Sequence, residues 1–100
     1  MSYKHNTEGV FEYVTESVKD VLGYTVEEFM ANFENFLTDN PINKQGIEHT
    51  EFSIKGIQQP KYKLELLKKD NSKCMAEITE FPIFNKNAEV IAIEGTSTSK

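Results

Sequence analysis

The chain has 100 residues, of which 11 are basic and 16 acidic, so its formal charge is −5. This length suits one domain with a modest core, and the acidic balance argues against nucleic acid or an anionic membrane as the main partner, because both are bound by concentrated basic surfaces. A single cysteine, Cys74, excludes an internal disulfide and a thiolate zinc set, and no apolar run approaches the roughly 20 residues of a membrane span. We therefore expect a cytoplasmic domain that does not itself insert into a membrane, although it can belong to a membrane-anchored protein.

The first quarter of the chain predicts a strand followed by two short helices. In residues 9–15, GVFEYVT, one face of an extended chain would carry Val10, Glu12 and Val14 and the other Phe11, Tyr13 and Thr15. This alternation, with many β-forming residues, indicates a strand. A helix is predicted from about 15 to 22, and Gly23 is placed to end it in a left-handed conformation. Thr25 then caps a second helix, because Glu28 three residues later completes a capping box.

A longer helix is predicted in the middle of the chain. The segment FENFL at 33–37 has helical apolar spacing. The following TDNP marks the start of a new helix, since Asn40 or the aspartate before it can cap a helix with Pro41 in its first turn. This helix is predicted from about 41 to 57. Its expected apolar stripe consists of Ile47, Thr50, Ile54 and Ile57.

The pattern changes to strands from Tyr62 onward. KYKLELLKK alternates, Asp70-Asn71 lies at a hairpin turn, and KCMAEITEFPIF at 73–84 predicts the next strand. After NKNA, the segment 89–99, EVIAIEGTSTS, predicts a last strand. The order of strand, helices and three antiparallel strands indicates an α+β domain with its helices on one face of the sheet.

No catalytic motif is found in the sequence, and neither catalytic residues nor a metal site are predicted. There is no Gly-rich phosphate loop, HExxH, GxSxG or CxxC pattern. Glu77 and Glu80 share one predicted strand at positions that face opposite ways, so one carboxylate is expected to face the core. The alternative is a surface carboxylate, or a buried Glu bonded to backbone or Tyr. Cys74 is interpreted as a packing residue of the same strand.

Several motifs in a fixed order resemble those of a PAS domain with a C-terminal PAC segment. They are L-G-Y-T-x-E-E at 22–28, K-D-N at 69–71, E-x-x-x-x-P-I at 77–83 and V-x-x-I-x-G at 90–95. The resemblance implies a single PAS domain over residues 1–100, with a PAS core at about 9–60 and a PAC-like segment at about 61–98. It also implies a five-stranded antiparallel sheet with helices on one face.

The chain departs from the family pattern at three places. Asn71 stands where the family usually has glycine, and Asn tolerates the left-handed conformation that this hairpin needs. The closing D-I-T of the family is replaced by TSTSK, with Ser99 near the aspartate position. The first strand is short and limited to SYKH at residues 2–5.

The resemblance implies a pocket between the long helix and the last three strands. Its expected lining is Ile47, Thr50 and Ile54 from the helix, with Tyr62, Leu64, Leu66, Ile78, Ile91 and Ile93 from the strands. Thr50 and Tyr62 would supply polar contacts that orient a small ligand. The alternative is that these side chains only fill the core.

The cofactor of this pocket is left unknown by the sequence. Flavin-binding light sensors of the family carry N-C-R-F-L-Q before the long helix, whereas this chain has NFENFLTDN and its cysteine lies in a late strand. Haem-binding members use a His on the long helix. His49 is on that helix but roughly 120° from the centre of the expected stripe, so neither flavin nor haem is predicted.

The resemblance implies a sensory module, with a histidine kinase as the expected output domain in the same chain and a diguanylate cyclase as the second choice. A small-molecule ligand and a homodimer are the expected partners. Residues 95 to 100 would pass the signal onward.

Two alternatives remain open at the level of sequence. One is a ligand-free dimerisation and relay domain that uses the outer sheet face, where Met75, Phe81 and Phe84 are candidate apolar contacts. The other is a small α+β enzyme with a cone-shaped pocket, of the ketosteroid isomerase kind. That enzyme would need a buried acid near Tyr62, and Glu77 is the candidate.

Overall fold

A computed structural model describes the backbone of residues 1–99 and the side chains of residues 1–98. Within this part of the chain, five strands form one antiparallel sheet in the order β2-β1-β5-β4-β3. The strands are β1 (Ser2–His5), β2 (Phe11–Val14), β3 (Tyr62–Leu67), β4 (Lys73–Phe84) and β5 (Val90–Ser99). The helices are α1 (Val18–Leu22), α2 (Val26–Phe29) and α3 (Ile42–Ile54), with a 3-10 turn at Phe33–Phe36. The predicted α+β architecture is confirmed, and Lys100 of the expected output segment lies outside the described residues.

The junction between α1 and α2 is built as its residues predict. Gly23 takes φ +85° and ends α1, which a residue without Cβ does at little cost. Thr25 Oγ1 accepts from the Glu28 amide at 3.1 Å, and Glu28 Oε1 accepts from the Thr25 amide at 2.9 Å, completing the capping box. Tyr24 donates its hydroxyl to the carbonyl of Leu67 on β3 at 2.8 Å. The junction therefore fastens both short helices to the sheet.

Aromatic rings fill the space between the short helices and β2. The Phe29 ring stacks between those of Phe11 and Phe36, at centroid distances of 4.5 and 4.3 Å. Tyr24 meets Phe36 edge-on at 5.0 Å. Val18 and Leu22 of α1 are also buried in this half of the core. Because the aromatic cluster occupies this space, the remaining core cavity lies toward α3.

The buried face of α3 is not the predicted apolar stripe. Its buried residues are Asn43, Gly46, Thr50 and Ser53, whereas Ile47 and Ile54 are half-buried and Ile57 is 51% exposed. The helix also ends at Ile54, earlier than predicted, because Gly56 takes φ +88°. A small, polar helix face allows α3 to approach the sheet closely, and apolar spacing alone does not reveal it.

Gly46 and Asn43 show how close this approach is. A Cβ added at Gly46 would collide with the Leu64 side chain of β3. One turn earlier, the Asn43 amide donates to the Glu65 carbonyl at 2.9 Å and its oxygen accepts from the Glu65 N–H at 2.8 Å. The Asn43 side chain thus gives the N–H and C=O of Glu65 the hydrogen bonds that a neighbouring strand would otherwise provide.

Gly95 lies at the centre of the sheet and allows β1 to reach β4. It pairs with Tyr3 on one side and with Glu80 on the other. A Cβ at Gly95 would lie 2.6 Å from the Tyr3 hydroxyl oxygen and 2.8 Å from the backbone oxygen of Thr79. The Tyr3 side chain therefore crosses β5 over Gly95 on its way to Glu80. This contact gives a physical reason for the glycine of the V-x-x-I-x-G motif.

We predict that Gly95→Ala destabilises the domain by about 1–3 kcal/mol, because the added methyl overpacks a site closed by a ring and by backbone. The exposed Thr98→Ala substitution on the same strand is the control, and we expect it to cost less than about 1 kcal/mol. Urea denaturation measures both. Equal stability of Gly95→Ala and wild type would show that the Tyr3 ring does not cross Gly95 this closely.

Candidate functional site

A buried carboxylate lies at the centre of the molecule between α3 and the sheet. Glu80 of β4 is only 2% exposed. Its Oε2 accepts from the Tyr3 hydroxyl at 3.1 Å, and its Oε1 accepts from Thr50 Oγ1 and Ser53 Oγ, both at 3.2 Å. Tyr62 on β3 adds a fourth hydroxyl, 2.9 Å from Thr50 Oγ1. These five residues are called the Glu80 cluster below.

The position of Glu80 follows from the register of β4. Ala76, Ile78 and Glu80 are buried, and the pleat directs Glu77 and Thr79 to the other face. The expectation that Glu77 is the acid near Tyr62 is therefore wrong. The two glutamates do face opposite ways, but the alternation alone does not say which one faces the core.

The hydroxyls of the Glu80 cluster have defined donor directions. Thr50 has one hydroxyl proton, and because it donates to Glu80 it must accept from Tyr62. Burial, and next the negative charge of Glu80, raise the pKa of Tyr3 well above its ordinary value. The same two causes raise the pKa of Tyr62. Both phenols therefore keep their protons, and the carboxylate is surrounded by donors.

A buried histidine lies beside this cluster. His5 of β1 is 3% exposed, and its Nδ1 lies 2.7 Å from the carbonyl oxygen of Asn6. A carbonyl only accepts, so the proton is assigned to Nδ1 and Nε2 is the acceptor nitrogen. Burial lowers the pKa of His5, against the opposing effect of the Asn6 hydrogen bond. The ring is therefore neutral at pH 7 and supplies no counter-charge to Glu80.

The Glu80 cluster borders a small cavity of about 40 Å³. Its lining residues are Met1, Tyr3, His5, Phe33, Thr50, Tyr62, Leu64, Leu66, Ile78, Glu80 and Ser97. One water needs roughly 10–15 Å³ by this kind of measure, whereas pockets for drug-sized ligands span roughly 300–1,000 Å³. The cavity thus has room for a few non-hydrogen atoms, and its accessible lining is mostly apolar.

Comparison with known families identifies this architecture. A family model described as PAS domain matches residues 2–97, nearly the whole chain. The chain belongs to the PAS domain family. Among the curated proteins no match is found.

Solved PAS domains have the same fold at low sequence identity. The PAS-B domain of Drosophila melanogaster Cycle with bound ethylene glycol is 17% identical, with 99% of this chain and 98% of that chain covered and a TM-score of 0.87. A PAS domain from Colwellia psychrerythraea is 14% identical, with coverages of 99% and 86% and a TM-score of 0.80. The N-terminal domain of a diguanylate cyclase with PAS/PAC sensor from Marinobacter aquaeolei is 14% identical, with coverages of 98% and 92% and a TM-score of 0.80. These identities show a shared fold alone.

The cavity of this PAS domain includes five of the nine residues expected to line it. They are Thr50, Tyr62, Leu64, Leu66 and Ile78. Ile91 does not contribute, since it is 50% exposed next to an irregularity in the β4–β5 pairing. Ile47 borders a separate surface cleft at the start of α3. Ile54 is half-buried and Ile93 fully buried, and neither lies in the lining.

Tyr3, His5, Glu80 and Ser97 are lining residues that sequence reasoning missed. Tyr3 and Glu80 are 77 residues apart in the chain, so no local pattern connects them. Two signals were present: a Tyr and a His at alternate positions of SYKH, and two carboxylates at oppositely facing positions of the segment 73–84. Together they indicate a polar group shared between buried strands.

His49 and Cys74 are not among the residues that line the cavity. The His49 ring stacks on that of Tyr62 at 4.8 Å and its Nδ1 lies 2.7 Å from Gln59 Oε1. Cys74 is half-buried on β4. Among residues 1–99, no group of three or more His, Cys, Asp or Glu is placed to hold a metal ion, and no helix is long and apolar enough to cross a membrane.

We predict that Tyr3→Phe lowers the free energy of unfolding by about 2 kcal/mol, because it removes one donor from a buried carboxylate. Tyr13→Phe is the matched control. Its ring is 53% exposed on the same sheet, so we expect a change within about 0.5 kcal/mol. Urea denaturation of both variants gives the comparison. Equal effects of the two substitutions would show that the bond from Tyr3 to Glu80 contributes nothing to stability.

Proposed function

We propose that this PAS domain is the sensory input module of a signalling protein, and that the occupant of the cavity sets the arrangement of the Glu80 cluster. The observation that carries this proposal is that Glu80 bonds to α3 through Thr50 and Ser53 and to β1 through Tyr3. A molecule in the cavity would compete for these bonds. It would thereby change how the helix, β1 and β4 are held together.

The route from the cavity to the end of the chain is short. Ser97 of β5 lines the cavity, and it lies in the segment expected to pass the signal onward. β5 pairs with both β1 and β4, which carry Tyr3 and Glu80. A change in the Glu80 cluster therefore acts on both neighbours of β5. This is a population shift between two arrangements, and its size is limited by the differential affinity of the ligand for them.

The ligand class is small and polar, because the cavity offers a carboxylate and hydroxyls but little volume. The Cycle PAS-B structure holds ethylene glycol, which is consistent with an occupant of this size in a PAS fold. For the output, we favour a cytoplasmic histidine kinase of a two-component system over a diguanylate cyclase. The coding sequence that flanks these residues tests this choice: a histidine kinase domain there would support it, and a diguanylate cyclase or another output domain would contradict it.

We predict that Thr50→Val changes the activity of a chimeric histidine kinase that carries this domain by at least about fivefold, the lower range of allosteric coupling. The substitution keeps the side-chain volume but removes the hydroxyl that connects Tyr62 with Glu80. Glu51→Gln, at an exposed position of the same helix, is the control and should leave autophosphorylation unchanged. Circular dichroism verifies folding of both chimeras. Unchanged autophosphorylation in folded Thr50→Val would contradict a role of the cluster in output.

The outer face of the sheet supports a second candidate, a ligand-free relay that works as a homodimer. Tyr13, Lys4, Glu94 and Phe81 form one row across β2, β1, β5 and β4. Tyr13 and Phe81 are each 53% exposed. If two copies stack face to face about a two-fold axis parallel to the strands, the row is reversed, so that Tyr13 faces Phe81 of the other copy while Lys4 faces Glu94. The row is therefore self-complementary in charge and in apolar character.

We predict that Phe81→Asp weakens self-association of the domain by at least about tenfold, because it places a charge in the apolar part of this face. Phe52→Asp is the matched control, since Phe52 is 46% exposed on α3, away from the sheet. Sedimentation equilibrium measures the dissociation constants. A wild-type chain that stays monomeric at every accessible concentration would exclude the relay by this face.

The enzyme alternative is less well supported. Glu80, rather than Glu77, is the buried acid near Tyr62, so the residue types required are present. The cavity of about 40 Å³ has no room for a substrate of steroid size. A turnover assay with small carbonyl compounds would be needed before a catalytic role is assigned.

A further inference from the structure

The negative charge of Glu80 is incompletely compensated by its hydrogen bonds. The three donor–acceptor distances are 3.1, 3.2 and 3.2 Å, whereas hydroxyl donors to carboxylates ordinarily lie at roughly 2.5–2.7 Å. Two of these bonds reach Oε1 and one reaches Oε2. A carboxylate accepts up to about four hydrogen bonds, so a fourth donor has a place on Oε2.

In the part of the chain that the structure describes, no side-chain cation is paired with Glu80. The α-ammonium of Met1, a lining residue, donates to the Ser97 carbonyl at 3.0 Å. Among the described residues, the ion pairs are Lys61 with Glu77 and Lys69 with Glu28, both at the surface. Lys4, on the same strand as Tyr3, lies in the row on the outer sheet face. His5 is neutral, as described above. Removing a carboxylate from water costs several kcal/mol, and three hydrogen bonds from neutral hydroxyls offset only part of this cost. A cation in the adjoining cavity would therefore be bound favourably.

The remaining lining of the cavity also suits a cation. The rings of Tyr3, Phe33 and Tyr62 line it together with Glu80. Aromatic faces attract ammonium groups through the ring quadrupole, and more strongly when water is excluded. The volume of about 40 Å³ limits the occupant to a few non-hydrogen atoms.

We propose that the cavity binds a small ammonium cation, of the size of ammonium or methylammonium, with an N–H donating to the Glu80 carboxylate. The inference rests on the sensory function proposed above and names its ligand class. The charge provides affinity, and the small volume excludes larger amines. A neutral molecule of equal size lacks both the charge interaction and the cation–π contribution.

The test is an NMR titration of the isotopically labelled chain with methylammonium chloride. Methanol serves as the neutral isostere and sodium chloride as the ionic control. We expect methylammonium to shift the amides of Tyr3, Thr50 and Ser97 and to bind at least about tenfold more tightly than methanol, as expected for a hydrogen bond to a charged group. Glu80→Gln should abolish this preference, and the matched Glu77→Gln, at the outward position of the same strand, should keep it.

Should Glu80→Gln fail to fold, Tyr3→Phe provides the second variant. It keeps the carboxylate and removes a competing donor, so methylammonium should bind at least as tightly as to wild type. Loss of binding in Tyr3→Phe would overturn the proposal.

The other outcomes separate this inference from the sensory function. Equal binding of methanol and methylammonium would overturn the proposal of a cation ligand but would leave a sensory cavity that binds small neutral hydrogen-bond donors. An identical response to sodium chloride, or a carbon-13 signal of a protonated Glu80 carboxyl at pH 7, would also overturn it. If neither compound changes the amide chemical shifts of the cavity residues, the proposal of a cation ligand is overturned and the support for a ligand-responsive cavity is removed.

Discussion

The structure depends on the burial of one carboxylate. An ionised side chain in the core is costly unless its oxygens accept hydrogen bonds, and Glu80 accepts them from two other elements, Tyr3 on β1 and Thr50 and Ser53 on α3. Each donor restricts its own element. The spacing of Thr50 and Ser53 determines which face α3 turns to the sheet, and Tyr3 determines how β1 lies against β5. The polar centre thus contributes specificity to a core that apolar packing alone would leave less defined.

Two glycines make this arrangement possible. Gly46 lets α3 approach β3 so closely that a methyl group would strike Leu64, and Gly95 lets the Tyr3 ring cross β5. Without the first, the hydroxyls of the helix would be held farther from the sheet. Without the second, Tyr3 would have no path to Glu80. Both glycines have ordinary negative φ values, so their role is close approach rather than unusual backbone conformation.

Local features of the fold were predictable because their causes are local. Gly23, Thr25 with Glu28, and Asn71, whose φ is +71°, each act within a few residues of the chain. Of the predicted stripe of α3 only Thr50 is buried, and apolar spacing could not reveal the rest of the buried face, because it is formed by Asn43, Gly46 and Ser53. Thr50 and Tyr62 were predicted as polar lining residues, since they lie on the helix and strand that the family resemblance places around the pocket. Glu80 and Tyr3 required the register of β4 and a contact between distant parts of the sequence, which no periodicity contains.

On the function proposed above, the small volume of the cavity limits how this PAS domain can discriminate between ligands. A pocket of several hundred Å³ distinguishes ligands by shape, because many contacts must be satisfied at once. A space of about 40 Å³ makes few contacts, so charge and the number of hydrogen-bond donors must separate one occupant from another. Solved PAS domains with TM-scores of 0.80 to 0.87 share the fold at 14 to 17% identity, and the fold does not determine this chemistry. On the function proposed above, the chemical class of the ligand therefore depends on Glu80 and on the hydroxyls around it, the same residues that hold β1 and α3 to β4.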